Sequence, residues 1–356
     1  MSTRVPPPIP PRPCNREIKS SIDYYYLVNC LIDKKFPPST QSVKVVNMVN
    51  ELEQIEELRK FFSDFKKIGS ESAFGTVYSA CVKGLSEECY TQSAKKLRVA
   101  IKFQKLTPKE QNDFLNGNYV NYPEGIWNEI YISYKLSYVS SKSAPNFPIL
   151  YRTFISKLCF ENTIEEITHE DDTNPEFRRK RVPCVMIVNE LSDGDFGDFF
   201  PPPKININLK SFESAYLQIC MAIIAMQLNG VVHNDLYPKN ILYTNVPDEK
   251  WKYSIEIGDQ TTSFIIPTNG YLFKICDFGK SSINSKPFDY NTDIKRITNE
   301  AINTFLLNRK FVSIYNGQYN NTLDFVNMLK VQFKEYLANE KKPNEKINQY
   351  FKLRFA

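Results

Sequence analysis

The string HNDLYPKNIL, His233 to Leu242, and the later string CDFG, Cys276 to Gly279, set an aspartate, an asparagine and a second aspartate in order along the chain. Moving a phosphoryl group asks little covalent chemistry of a protein, because the work lies in positioning the reactants and neutralising charge on phosphate oxygens. A carboxylate such as Asp235 accepts or orients the proton of an attacking hydroxyl. Asn240 and Asp277 offer an amide and a carboxylate oxygen, the hard donors that Mg²⁺ prefers.

Asn240 stands five residues after Asp235, the spacing of the catalytic loop H-R-D-L-x-x-x-N, and an Asp-Phe-Gly follows. On these residues the chain resembles the eukaryotic-type protein kinase superfamily. The resemblance implies matching parts upstream. Val99 to Lys102 spells VAIK, in which Lys102 is implied to reach the α- and β-phosphates of ATP. IGSESAFGTVY, Ile68 to Tyr78, is similar to the glycine-rich loop, with Gly69 and Gly75 at its first and last glycines. One residue is inserted there, and Glu71 and Ser72 replace the middle glycine. A carboxylate must pair Lys102. Glu129 is the choice, from GIWNEIYISYKL, where Ile126, Ile130 and Ser133 or Tyr134 recur at helical spacing; Glu124 competes, but Pro123 and Gly125 beside it mark a helix entrance. The resemblance further implies Ile68 among the nucleotide-binding residues, Val77, Ala100 and Leu242 around the adenine, backbone at Glu190 and Leu191 against its edge, Asp195 toward the ribose, and Asn240 and Asp277 on Mg²⁺. His233 is implied to pack beneath the Asp-Phe-Gly turn. A glycine turn or a VAI strand ending in lysine carries little weight alone; the four motifs in one order carry the reading.

Two departures matter. Asn234 replaces the arginine that, in many kinases, pairs with a phosphate on the activation loop, which argues against control by such phosphorylation. Only 13 residues, Lys280 to Thr292, separate the Asp-Phe-Gly from Asp293, and no Ala-Pro-Glu follows. This short activation segment resembles haspin-like kinases and implies constitutive competence. DYNTDIKRI is then the start of a helix whose Asp293 anchors the catalytic loop. Tyr237 stands where serine/threonine kinases carry a lysine, so Lys239 is the implied cation for the γ-phosphate. The expected activity is ATP- and Mg-dependent transfer to protein Ser/Thr hydroxyls. Two alternatives stay open: a small-molecule phosphotransferase of the choline or aminoglycoside kinase type, and a non-catalytic nucleotide-binding pseudokinase.

The elements that must position these residues read as α+β, a two-lobed protein-kinase-like fold with a small β-rich N-lobe carrying one helix and a larger helical C-lobe. The expected division is a disordered proline-rich tail over 1–17, a helical extension over 18–62, an N-lobe with insertions over 63–188, and hinge and C-lobe over 189–356. Strands are expected at Phe65–Ile68, Thr76–Val82, Val99–Phe103, Ile149–Ile155 and Cys184–Val188. A long helix is expected over Ser211–Gly230, with a serine start. Asp248–Gly270 is an excursion without chemistry, and the chain ends, after a helix over Thr322–Leu337, in a lysine-rich loop.

Length, 356 residues, suffices for two cores. The net charge of +5, from 45 basic and 40 acidic groups, is too mild to announce nucleic-acid binding. The basic run Arg178 to Arg181 follows an acidic stretch and reads as a solvated insertion. The eight cysteines show no CxxC pair, so reduced thiols are expected. Two histidines exclude histidine-based zinc sites. No apolar run reaches membrane-span length, and ICMAIIAM reads as buried helix. The expected partners are a protein substrate and an SH3-type domain for the PxxPxR segment Pro7–Arg12, without nucleic acid or membrane. In style the chain is similar to the serine/threonine kinases of large DNA viruses, which implies a cytoplasmic setting: host cytoplasm, or virion.

Overall fold

A computed structural model describes residues 49–52, 55–72, 75–83, 98–116, 125–160, 181–200, 205, 208–283, 290–304, 309–338 and 346–354. Pro7–Arg12, His169, Glu124 and Arg178 to Lys180 lie outside the described residues. The fold is mixed α+β, and the chain divides into two compact units: Met1–Ile130 with Ile149–Leu191, and Tyr131–Pro148 with Ser192–Ala356.

The first unit is built on a six-stranded sheet of β1 (Val49–Leu52), β2 (Phe62–Ser72), β3 (Gly75–Val82), β4 (Arg98–Lys105), β5 (Leu150–Phe160) and β6 (Arg181–Glu190), in the order β1-β5-β6-β4-β3-β2. Four of the five strands expected from the sequence lie within these spans, and the fifth, Ile149–Ile155, starts one residue ahead of β5. Their alternating and continuous apolar runs fit a half-buried or buried pleated surface, and Val99, Ile101 and Phe103 on β4 are buried in turn. The helical reading of 18–62 needs correction over its described part. Val49–Leu52 is an edge strand, parallel to β5 in the register Val49↔Thr153 to Leu52↔Ser156, and Ile55–Lys60 is a 3-10 turn. Pairing with a strand distant in sequence overrides the local helical spacing.

Two helices accompany this sheet. α1 (Pro108–Leu115) starts at a capping box in which Thr107 Oγ1 accepts the Glu110 N–H and Glu110 Oε2 accepts the Thr107 N–H. The other oxygen of Glu110 accepts the Ile126 N–H at 2.8 Å, in the first turn of α2 (Gly125–Lys142). One carboxylate thus serves the starts of both helices, and it fixes the approach of the turn carrying Glu129. The expectation of reduced thiols is also corrected: a disulfide joins Cys159 and Cys184, whose Cα atoms are 5.9 Å apart on neighbouring antiparallel strands, a separation that suits such a bond.

In the second unit the core surrounds α3 (Leu209–Leu228). The expected serine start moves upstream, because Asn208 Oδ1 caps the helix by accepting the Ser211 N–H at 2.9 Å. By length and composition α3 could cross a membrane, but its side chains from Phe212 to Gln227 are buried within the unit, as those of a core helix are. Before it, β7 (Gly194–Asp195) and a 3-10 turn (Phe196–Phe199) bring Phe196 and Phe199 into an aromatic cluster with Phe212 and Phe273. After it come β8 (Val231–Val232), the loop carrying Asp235, and β9 (Ile241–Asn245).

The excursion Asp248–Gly270 is a hairpin of β10 (Lys250–Ile257) and β11 (Gln260–Pro267), and β12 (Tyr271–Ile275) returns antiparallel to β9. β13 (Ser282–Ile283) pairs with β8, and helices α4 (Tyr290–Thr304), α5 (Arg309–Asn316) and α6 (Thr322–Gln332) follow. The lysine-rich terminal loop is corrected in part: Gln349–Arg354 forms β14, parallel to β10, with Leu353 buried and the Phe351 ring set edge-on to Trp251 and tilted against Tyr253.

Candidate active site

Backbone bonds set the three polar residues of the second unit at one end of the β9/β12 ladder. β12 ends opposite the start of β9, with Ile275 facing Ile241, and the Cys276 N–H donates to the Asn240 carbonyl at 2.9 Å. Asn240 and Asp277 therefore leave adjacent strands side by side. Asn240 is buried, and its Nδ2 donates to the Asp235 carbonyl at 3.0 Å. The amide nitrogen so occupied leaves Oδ1 as the group's acceptor. Asp277 takes a left-handed backbone, φ 62, an uncommon conformation for a residue with a Cβ, just before the 3-10 turn Phe278–Lys280. An amide oxygen and a carboxylate held this way form a hard-oxygen donor pair that fits Mg²⁺.

His233 braces both strings from beneath. It is fully buried, its ring lies 5.4 Å from that of Phe278, and its Nε2 meets the Cys276 carbonyl at 2.9 Å while Nδ1 accepts the Asp235 N–H at 3.3 Å. Those partners require the neutral tautomer protonated on Nε2. Such a ring has no free nitrogen with which to act as a base. Asp293, in the first turn of α4 and fully buried, accepts the N–H groups of His233 and Asn234, each at 3.0 Å. The loop before Asp235 thus hangs on a charged acceptor from a helix some sixty residues away.

Asp235 carries two partners that sequence reasoning missed. Lys280 Nζ lies 3.0 Å from Oδ2 and Arg296 Nη1 lies 2.7 Å from Oδ1. Burial pushes this carboxyl up, but the hydrogen bonds and charges of Lys280 and Arg296 outweigh it and hold it below its ordinary value, so it is ionised at neutral pH. Signals existed for both cations. Lys280 directly follows the Asp-Phe-Gly, and Arg296 stands three residues after Asp293, on the same face of α4. Lys239 and Tyr237 are exposed. Burial, then the negative charges of Asp235 and Asp277, raise the Tyr237 hydroxyl above its ordinary value. Leu242 and Asp195 are register partners on β9 and β7, and Asp195 Oδ1 accepts the Gly197 N–H at 2.8 Å.

In the first unit, Lys102 on β4 pairs with Glu129 on α2, Nζ to Oε1 2.6 Å, with side chains only 14% and 6% exposed. Val77 is the β3 register partner of Lys102, and Ala100 lies opposite Ser79 on one side and Asn189 on the other. Ile68 faces Val77 across β2 and β3, and Gly69 lies where the register shifts between Ile68 and Ser72. Gly75 has φ 139, and a Cβ there would stand 2.0 Å from the Phe103 carbonyl oxygen. The sheet itself demands this glycine, independently of any phosphate. Glu190 is buried at the end of β6, where it accepts the Ile149 N–H at 3.2 Å, and Leu191 is the last residue of the unit. The first unit assembles Ile68, Gly69, Gly75, Val77, Ala100, Lys102 and Glu129; the second assembles Asp235, Asn240 and Asp277, with Asp195 and Leu242 paired on neighbouring strands.

The second unit thus holds an ionised carboxylate beside a hard-oxygen pair and the first a buried lysine–glutamate pair, groups of the kinds that phosphoryl transfer uses. A Dictyostelium discoideum protein described as "Probable serine/threonine-protein kinase iksA" is 25% identical over 145 residues, 40% of this chain and 14% of that protein. The similarity indicates a distant, protein-kinase-like relationship. No protein-family model matches the chain.

Proposed function

We propose that this chain is an ATP- and Mg²⁺-dependent protein kinase that phosphorylates Ser or Thr hydroxyls without needing a phosphate on its activation segment. The observation that carries the reading is the joint fixing of Asp235, Asn240 and Asp277 by His233 and the β9/β12 ladder. In this reading Asp235 orients the acceptor hydroxyl and takes its proton. Lys102, held by Glu129, steadies the nucleotide phosphates, with Ile68, Gly69, Gly75, Val77, Ala100, Glu190, Leu191, Asp195 and Leu242 contributing to the nucleotide site and Lys239 approaching the γ-phosphate. Asn240 and Asp277 would hold Mg²⁺, which supplies charge neutralisation on the transferring phosphoryl group. Control without phosphorylation is supported by Asn234, whose Nδ2 donates to the Lys280 carbonyl at 3.2 Å and to Ser282 Oγ at 3.1 Å, tethering the start of the segment directly.

The test compares wild type with Asp235→Asn and Asp277→Asn, using γ-labelled ATP with a panel of Ser, Thr and Tyr peptides and a panel of amino-alcohols. Transfer to Ser/Thr peptides is expected from the wild type. In Asp235→Asn it should fall by roughly the 10²- to 10⁴-fold that general-base catalysis contributes, while nucleotide binding stays close to wild type. Wild-type turnover in that variant overturns the assignment, and transfer to amino-alcohols alone makes the chain a small-molecule phosphotransferase.

A further inference from the structure

Asp235 sits between two cations that the proposed chemistry does not use. A carboxylate offers about four lone-pair sites over its two oxygens. Lys280 takes one site on Oδ2 and Arg296 one on Oδ1. The sites left on the two oxygens are open to an acceptor hydroxyl, which then meets an ammonium and a guanidinium beside it. One carboxylate thus faces two cations.

Both cations are half exposed, 53% and 51%, while Asp235 is 21% exposed, so their donor groups border solvent where an acceptor must approach. Their backbones are fixed. The Lys280 carbonyl is held by Asn234 Nδ2, and Arg296 follows on the helix whose Asp293 anchors the His233 and Asn234 amides. The guanidinium uses Nη1 on Asp235, and its five-donor fork suits a further carboxylate. A cationic flank repels a basic neighbour of the acceptor residue and attracts an acidic one.

We infer that Lys280 and Arg296 are specificity-determining residues, and that the acceptor is a hydroxyl residue flanked by acidic side chains in a peptide segment. The inference rests on Asp235 being the residue that receives the acceptor hydroxyl. Because each cation occupies one site on Asp235, an acidic flank that draws one of them aside also frees that site for the hydroxyl. Substrate charge then acts on binding and on access to the base together.

The experiment uses the full chain and three fluorescent serine peptides identical except for flanking Glu, Gln or Lys. Affinity is read by anisotropy without nucleotide, and kcat/KM with ATP and Mg²⁺ is read separately. The wild type should bind the Glu peptide at least about tenfold tighter than the Gln peptide, with the Lys peptide weakest. In Lys280→Gln/Arg296→Gln the Glu advantage should shrink below about twofold, while Arg296→Lys retains it, with circular dichroism confirming that each variant is folded. Equal binding of all three peptides by the wild type, or an acidic preference undiminished in the double variant, overturns the inference. If the double variant does not fold, the peptide series on wild type and Arg296→Lys still decides, since charge-blind binding by the wild type is refutation. Binding of the acidic peptide with no transfer to any peptide would instead count against the kinase reading, so the two failures are distinguishable.

Discussion

Asp293→Ala should be among the most damaging substitutions in the second unit, although the residue touches no reactant. Its two oxygens accept the His233 and Asn234 N–H groups at 3.0 Å each, and the carboxylate is fully buried. Hydrogen bonds to a charged group are each worth about 1.5–3 kcal/mol, and alanine leaves both donors buried and unsatisfied. The expected loss is therefore about 3–6 kcal/mol, against a total stability of about 5–15 kcal/mol for a typical domain. At about 2–4 °C per kcal/mol for a domain of this size, melting should fall by on the order of 10 °C. Asp293→Asn keeps one acceptor but turns an NH₂ toward the second donor, so its loss should be close to half.

Calorimetry gives the melting shift, and hydrogen exchange followed by mass spectrometry over peptides spanning residues 231–240 localises it. Both variants should speed exchange at His233 and Asn234 before they affect α3. An Asp293→Ala protein that melts within about 2 °C of wild type, with protection of those two amides intact, would refute the claim that this carboxylate suspends the loop.

Lys102→Met removes a cation from the nearly buried Glu129 carboxylate and should cost about 3–5 kcal/mol in denaturant titration, whereas Lys102→Met/Glu129→Leu should recover most of it; equal stability of single and double variants would contradict the pairing. For Asp235, burial raises the carboxyl but the Lys280 and Arg296 hydrogen bonds and charges lower it further, leaving the folded-state value below the ordinary 3.8. The stability this depression contributes is present above the unfolded value and vanishes as pH falls through the lower folded one. In Lys280→Gln/Arg296→Gln the acid limb of kcat/KM should accordingly move to higher pH, and an unmoved limb would show that the cations do not act on the base. Asn234 has φ 63, so Asn234→Gly should lose only its two side-chain hydrogen bonds, about 1 kcal/mol each, while Asn234→Ala should lose a further 1–2 kcal/mol to the left-handed backbone; chemical denaturation that ranks the two alike would remove the backbone contribution.

What could be read from the sequence was what local pattern determines. Apolar runs located the five strands, and helical spacing singled out the turn in which Glu129 meets Lys102. The spacing from His233 to Asn240 and the Asp-Phe-Gly identified the groups that His233 and the β9/β12 ladder bring together. What stayed hidden depended on partners far along the chain. Val49–Leu52 becomes a strand because β5, about a hundred residues later, offers a parallel edge. Gln349–Arg354 becomes one because the β10/β11 hairpin offers another. Neither pairing leaves a local signature, since stretches of four and six residues without strict alternation are equally loops until an edge is supplied. Arg296 escaped for a related reason: its charge has meaning only once α4 is docked through Asp293.

The replacement of arginine by Asn234 gains a physical content from this geometry. In many kinases the resemblance implies a guanidinium there that organises the following segment through a phosphate added by modification. An amide organises it through neutral acceptors already present, the Lys280 carbonyl and Ser282 Oγ. Ser281 Oγ adds a bond to the His233 carbonyl at 3.2 Å, and β13 pairs with β8 immediately afterward. Each of these attachments returns to the loop that Asp293 suspends, so the strings around Asp235 and Asp277 are tied by contacts encoded in the chain itself. The same short tether fixes Lys280 beside Asp235. The tethering of the segment by neutral acceptors and the placing of a cation on Asp235 are therefore two consequences of one local arrangement.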